Sequence, residues 1–133
     1  MKIVECVPNF SEGVDLSKIQ EITNVIKSVP NVKLLDVDPG ADTNRTVVTF
    51  VGTPDSVLIA AFESIKKASQ ILDMQTHSGA HARMGATDVC PFIPINNVTM
   101  EECVELSKKL GYRVGHELKI PVSKKTPTGK PST

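Results

Sequence analysis

Two apolar repeats of helical period, each preceded by a short extended run, constrain this chain more than any other feature. From Asp15, a fitting N-cap, Leu16, Ile19, Ile22, Ile26 and Val29 recur at helix spacing until Pro30. After Thr53 and Pro54, an N-cap and a first-turn proline, Leu58, Ala61, Phe62, Ile65, Ala68 and Leu72 do the same and stop near Asp73. Ile3 to Val7 is a short strand closed by Pro8 and the polar turn Asn9, Ser11, Glu12, Gly13. Lys33 to Val37 is a second, closed by the turn residues Asp36, Asp38, Pro39, Gly40 and Asp42, and Thr46 to Gly52 is a third. Val89 to Ile95 is extended but carries Pro91 and Pro94, which donate no ladder hydrogen bonds, so it reads as an edge or interrupted strand. Thr99 and Glu102 form a capping box for a third helix through Cys103, Leu106, Leu110 and Leu118, weakened in its second half by Gly111 and Gly115.

The order β-α-β-β-α-β-α predicts an α+β protein, a two-layer α/β sandwich. Its first six elements match the split βαβ order of ferredoxin-like folds, with a mixed sheet and helices on one face. Lys119 to Val122 can add a short last strand. Residues 1–122 are expected to form one domain, and 123–133, rich in Lys, Pro and Thr with nothing to bury, a disordered tail. A chain of 133 residues buries roughly two-thirds of its unfolded surface and needs no disulfide framework to fold.

Charge and composition exclude several function classes. Lysines 124, 125 and 130 sit in the tail, leaving residues 1–122 with twelve basic side chains against fifteen acidic ones. With one Tyr, four Phe and no Trp, few rings are present on which bases could stack, and nucleic-acid binding is not expected. No apolar run approaches a membrane span, and the first residues lack a secretory pattern, so a cytoplasmic protein is expected. Cys6, Cys90 and Cys103 are odd in number and contain no C-x-x-C, against both a disulfide scaffold and a zinc ribbon.

Candidate chemistry gathers on the segment from Met74 to Asp88, a long structured loop with His77, His81, Arg83 and Asp88. A histidine suits proton transfer near neutral pH, and a neighbouring carboxylate orients it. His77 and His81, four apart, with Asp88 as a third ligand, are also a metal pattern, although Gly79 and Gly85 oppose a continuous helix there. Cys90, in an apolar segment, reads as a small buried hydrophobe rather than a nucleophile paired with His81. Asp36 and Asp38, two apart in a strand, point to one face, where they front a cleft or simply meet water.

Three motifs occur together: VECVPNFSEG (Val4 to Gly13), LLDVDPGADTNRTVVTFVG (Leu34 to Gly52) and ARMGATDVCPFIPI (Ala82 to Ile95). Over about residues 3 to 122, in order, they resemble the glutamate formiminotransferase family, also called glutamate formimidoyltransferase and often fused to a cyclodeaminase. The resemblance implies transfer of a formimino group from N-formimino-L-glutamate to N5 of tetrahydrofolate in histidine breakdown, with tetrahydrofolate as co-substrate and no metal. It implies two related subdomains with folate in a tunnel between them, a dimer, and this chain as the N-terminal subdomain. The family's catalytic histidine matches His81 and its acidic partner matches Asp38. Arg83, Arg45 and Asn9, within matching motifs, are implied as substrate- or folate-binding residues. The chain departs from the family's Gly-Glu-His-Pro-Arg at Ala80 and Ala82, which removes a carboxylate and a fixed φ beside His81.

Under this reading, activity needs a complementary C-terminal half or a homo-oligomer. A second reading is a non-enzymatic single-domain relative that binds a folate-like ligand or a partner subunit. A third is a metal-dependent hydrolase using His77, His81 and Asp88.

Overall fold

The computed structural model describes residues 1–72 and 87–118. His77, His81 and Arg83, the expected strand Lys119 to Val122 and the tail from residue 123 lie outside the described residues.

Strands β1 (Ile3–Cys6) and β2 (Asn9–Phe10) precede helix α1 (Leu16–Lys27), followed by β3 (Val32–Gly40), β4 (Arg45–Gly52) and helix α2 (Pro54–Ile71). Strands β5 (Thr87–Val89) and β6 (Phe92–Asn96) then lead to helix α3 (Met100–Glu117). β1 pairs with residues 50–52 of β4 and β2 with residues 46–47, so the two are successive pieces of one row. β5 and β6 likewise form a row against β2 and β1, and β3 lies on the other edge of β4.

The sheet thus has four rows in the order fourth, first, third, second, which is the split βαβ order expected. The expectation of a mixed sheet is corrected: every pairing among the described residues is antiparallel. The reason lies in the split itself. The rows joined across α1 run the same way, but the antiparallel β4 lies between them, so no parallel neighbours form.

Prolines divide both rows. Pro8 has no N–H to donate, and the chain leaves the ladder between Cys6 and Asn9; Asn9, expected in a turn, regains it with Phe10 as β2. Two hydrogen bonds span the break, Val48 N–H to the Pro8 carbonyl (3.0 Å) and Val7 N–H to the Pro91 carbonyl (3.2 Å). Pro91 separates β5 from β6 in the edge row, the interrupted edge strand that its two prolines predict.

The core side of the sheet comprises Val4, Cys6, Phe10, Val48, Phe50 and Phe92, all essentially buried beneath Ile22, Ile26, Val57, Ala61, Cys103 and Leu106 of the helices. Each large side chain here contributes about 1.5–3 kcal/mol. α2 packs against both α1 and α3, and small residues on it, Ala60, Ala61, Ser64 and Ala68, allow close approach. Arg113 on α3 places its guanidinium 3.9 Å from the centre of the buried Phe62 ring while bonding Glu117 at 3.0 Å.

Helix ends follow the local chemistry. Asp15 accepts from the N–H groups of Ser17 and Lys18, and the Thr99–Glu102 capping box is complete in both directions. Thr53 makes no side-chain cap bond; its hydroxyl pairs with that of Ser56 instead, and Pro54 supplies the start. α3 continues across Gly111 and Gly115 to Glu117, because Leu110 and Val114 are held in the core and packing outweighs the glycine penalty of about 1 kcal/mol each.

Candidate functional site

The face of the sheet opposite the three helices carries no helix among the described residues. In β4, buried Thr46, Val48 and Phe50 alternate with Arg45, Val47, Thr49 and Val51, which point to this open face. Asn9 of β2 stands opposite Val47, and Val47 stands opposite Asp38 of β3. Three residues from separate rows are thus aligned across the sheet.

Asp38 reaches this face through a bulge. Leu34 pairs with Phe50 and Asp36 with Thr49, leaving Leu35 without an opposite residue. Val32 and Leu34 face the core before the bulge, Val37 after it. Without that extra residue Asp36 and Asp38 would point into the helices, where unpaired carboxylates are costly. With it, both share the open face and both are exposed, as the spacing of two predicts.

Asn9, Asp38, Gly40, Thr43, Arg45 and Val47 line one open cavity of about 520 Å³. Its end wall is the β3–β4 hairpin, whose turn 41–44 closes with Asn44 N–H to the Ala41 carbonyl (3.2 Å) and Asn44 in the left-handed region at φ 52°. The loop after β2 is seated on this turn. Asn44 Oδ1 accepts from Gly13 N–H at 2.9 Å, and a Cβ on Gly13 would fall 2.3 Å from the Gly40 carbonyl oxygen and 2.6 Å from Arg45 N. Glu12 is buried; its Oε2 accepts from the N–H groups of Asp15 (2.9 Å) and Val14 (3.2 Å), while Thr46 Oγ1 donates to its carbonyl.

Of the residues expected at the site, Asn9, Asp38 and Arg45 therefore line the same cavity, although 29 residues separate the first from the second. His81 and Arg83 lie outside the described residues, as does His77 of the metal reading; Asp88 is on β5. The cavity places a carboxylate, a guanidinium and an amide around the apolar floor of Val47, a set able to receive a ligand that is partly flat and apolar and partly anionic. Sequence reasoning missed the frame: Glu12, Gly13, Gly40, Thr43 and Asn44. Asn44 carried a signal, since asparagine tolerates φ > 0 in a turn, and Asn31 and Asn97 do the same at other connections. Glu12 reads from the sequence only as a turn residue; its burial comes from the seating of its loop on the β3–β4 turn.

A family profile described as the N-terminal subdomain of the formiminotransferase domain matches residues 3–126. The formimidoyltransferase-cyclodeaminase of Dictyostelium discoideum is 54% identical over 121 residues, covering 91% of this chain and 22% of that protein. The glutamate formimidoyltransferases of Streptococcus pyogenes serotype M1 and Thermoplasma acidophilum are each 51% identical, covering 91% and 92% of this chain and 40% of their own lengths. The chain thus spans between about a fifth and two-fifths of the curated relatives it matches. With a match across nearly its whole length and half its residues shared with these relatives, the chain belongs to the formiminotransferase family, as its N-terminal subdomain.

Proposed function

We propose that this chain supplies the N-terminal part of a glutamate formimidoyltransferase site, which transfers the formimino group of N-formimino-L-glutamate to N5 of tetrahydrofolate. The observation that carries the reading is the cavity on the open sheet face, where Asn9, Asp38 and Arg45 from three strands meet within a chain of this family.

In the reaction, the N5 lone pair attacks the formimino carbon and a new C–N bond forms. His81 takes the N5 proton, and Asp38 orients the imidazole and stabilises its charged form. The bond from that carbon to the glutamate nitrogen then breaks, and His81 returns the proton to the departing amine. Arg45 and Arg83 hold substrate or folate carboxylates through paired hydrogen bonds, with Asn9 fixing orientation from the next row. Tetrahydrofolate is a co-substrate in this scheme. The open face is closed by a C-terminal formiminotransferase subdomain or a second copy, which shields the reacting atoms from water.

The test is formimino transfer measured with the chain alone and after adding a C-terminal half. Turnover in either arm, with a loss of about 10²–10⁴-fold on His81→Ala at unchanged folding, supports the proposal. No turnover in both arms with folded protein, or full turnover by folded His81→Ala, overturns it; folate binding without turnover would establish the non-enzymatic reading.

A further inference from the structure

Two thiols outside the proposed transfer chemistry meet where the first and fourth rows are both broken. Cys6 ends β1 on the core side and is fully buried; Cys90 lies half-buried between β5 and β6. Their sulfurs are 3.4 Å apart, although 84 residues separate them in the chain. Both are free thiols, as is Cys103, which is buried on α3.

The surrounding backbone can accommodate a closer approach. Val7 and Pro8 follow Cys6, Pro91 follows Cys90, and the ladder is held at this point by the bond from Val7 N–H to the Pro91 carbonyl. Neither proline donates a ladder bond, so the break is less constrained than mid-strand. A disulfide needs the sulfurs at about 2.0 Å, so they must close from the 3.4 Å at which they stand.

We propose that Cys6 and Cys90 are a reversible modification site, joined as an intrachain disulfide when the protein meets hydrogen peroxide. Cys90, the less buried of the two residues, reacts first. Its thiolate lone pair attacks one peroxide oxygen; the S–O bond forms, the O–O bond breaks, and the departing hydroxide takes a proton and leaves as water. Cys90 is then a sulfenic acid. The Cys6 sulfur attacks it, the S–S bond forms, the S–O bond breaks, and the Cys6 proton leaves with the hydroxide as a second water. Two thiols are oxidised by two electrons and the peroxide is reduced to two waters. Burial, together with the neighbouring Cys90, pushes the Cys6 thiol well up, so Cys6 is the poorer nucleophile towards peroxide and the first step falls to Cys90. The bond would staple the edge row to the first row.

The test treats the full 133-residue chain with hydrogen peroxide, blocks remaining thiols with an alkylating agent, and maps peptides by mass spectrometry without reduction. The expected result is a linked Cys6–Cys90 peptide pair, with two of the three thiols protected from alkylation and both restored by dithiothreitol. Cys90→Ser should abolish the link, with folding checked by circular dichroism; Cys90 is chosen because Cys6 and Cys103 are both in the core. Three thiols still free, links through Cys103 or between chains, or Cys90 driven to sulfinic acid beside a free Cys6 would each overturn the proposal.

Discussion

Neighbouring residues of β4 belong to two different environments. Thr46, Val48 and Phe50 are completely buried under the helices, whereas Arg45, Val47, Thr49 and Val51 stand on a face that no described helix covers. The first set is tied by packing, so its chemistry is fixed by the fold. The second is released from packing and can serve a ligand, which is why the cavity residues lie on it. One strand thus divides stability and function by the parity of its side chains.

This contrast can be broken from the core side first. Phe50→Ala should cost about 3–5 kcal/mol, seen in urea unfolding, because it empties a ring from a close-packed interior. Gly13→Ala should follow at about 1–3 kcal/mol. Its Cβ would strike backbone atoms of Gly40 and Arg45, which cannot rotate away, so this variant should also displace Arg45 and weaken ligand binding at the cavity. Loss of that binding without any change in stability would mean that the two faces are fully independent. Thr99→Ala removes half of the α3 capping box and should cost about 1 kcal/mol, far from the cavity and without effect on it.

On the open face the expectation reverses. Asp38→Asn should change stability by less than about 0.5 kcal/mol, since the side chain is exposed. In the enzyme assembled with a C-terminal half, the same change should lower formimino transfer at least about tenfold. Equal transfer by the variant would remove Asp38 from the proposed chemistry.

The smallest effect is a dependence on pH carried by exposed carboxylates. Hydrogen bonds from Ser17 and from the Lys18 N–H lower the Asp15 carboxyl, and Lys2 with the Thr99 N–H lowers that of Glu102. Their contribution is therefore complete above the ordinary carboxylate range and is lost as pH falls through the lowered values. Unfolding followed between about pH 6 and pH 3 should show this loss, and Lys2→Ala, which removes the first of the groups lowering Glu102, should reduce it.

The legibility of these features in the sequence varies with the range of the interactions behind them. Asp15, Pro54 and the Thr99–Glu102 pair announced three helix starts, because a cap bonds to groups within three residues of itself. Pro91 and Pro94 announced an interrupted edge row, because a missing N–H is a property of the residue. Asn9, expected within a turn, instead rejoins the sheet, since a two-residue strand exists only through its partners Val47 and Val89. The contact between Cys6 and Cys90 was likewise not visible, as it depends on how two broken rows align.

Asp38 shows the boundary most clearly. That Asp36 and Asp38 share a face follows from their spacing alone, because side chains in a strand alternate with period two. Which face that would be was decided only by the tertiary structure, where pairing with β4 leaves Leu35 as an extra residue and reverses the parity after Leu34. Helix periodicity and caps rest on hydrogen bonds within one turn and are therefore written locally. A bulge rests on the register between strands joined by a distant turn, so only the assembled sheet places Asp38 in line with Asn9.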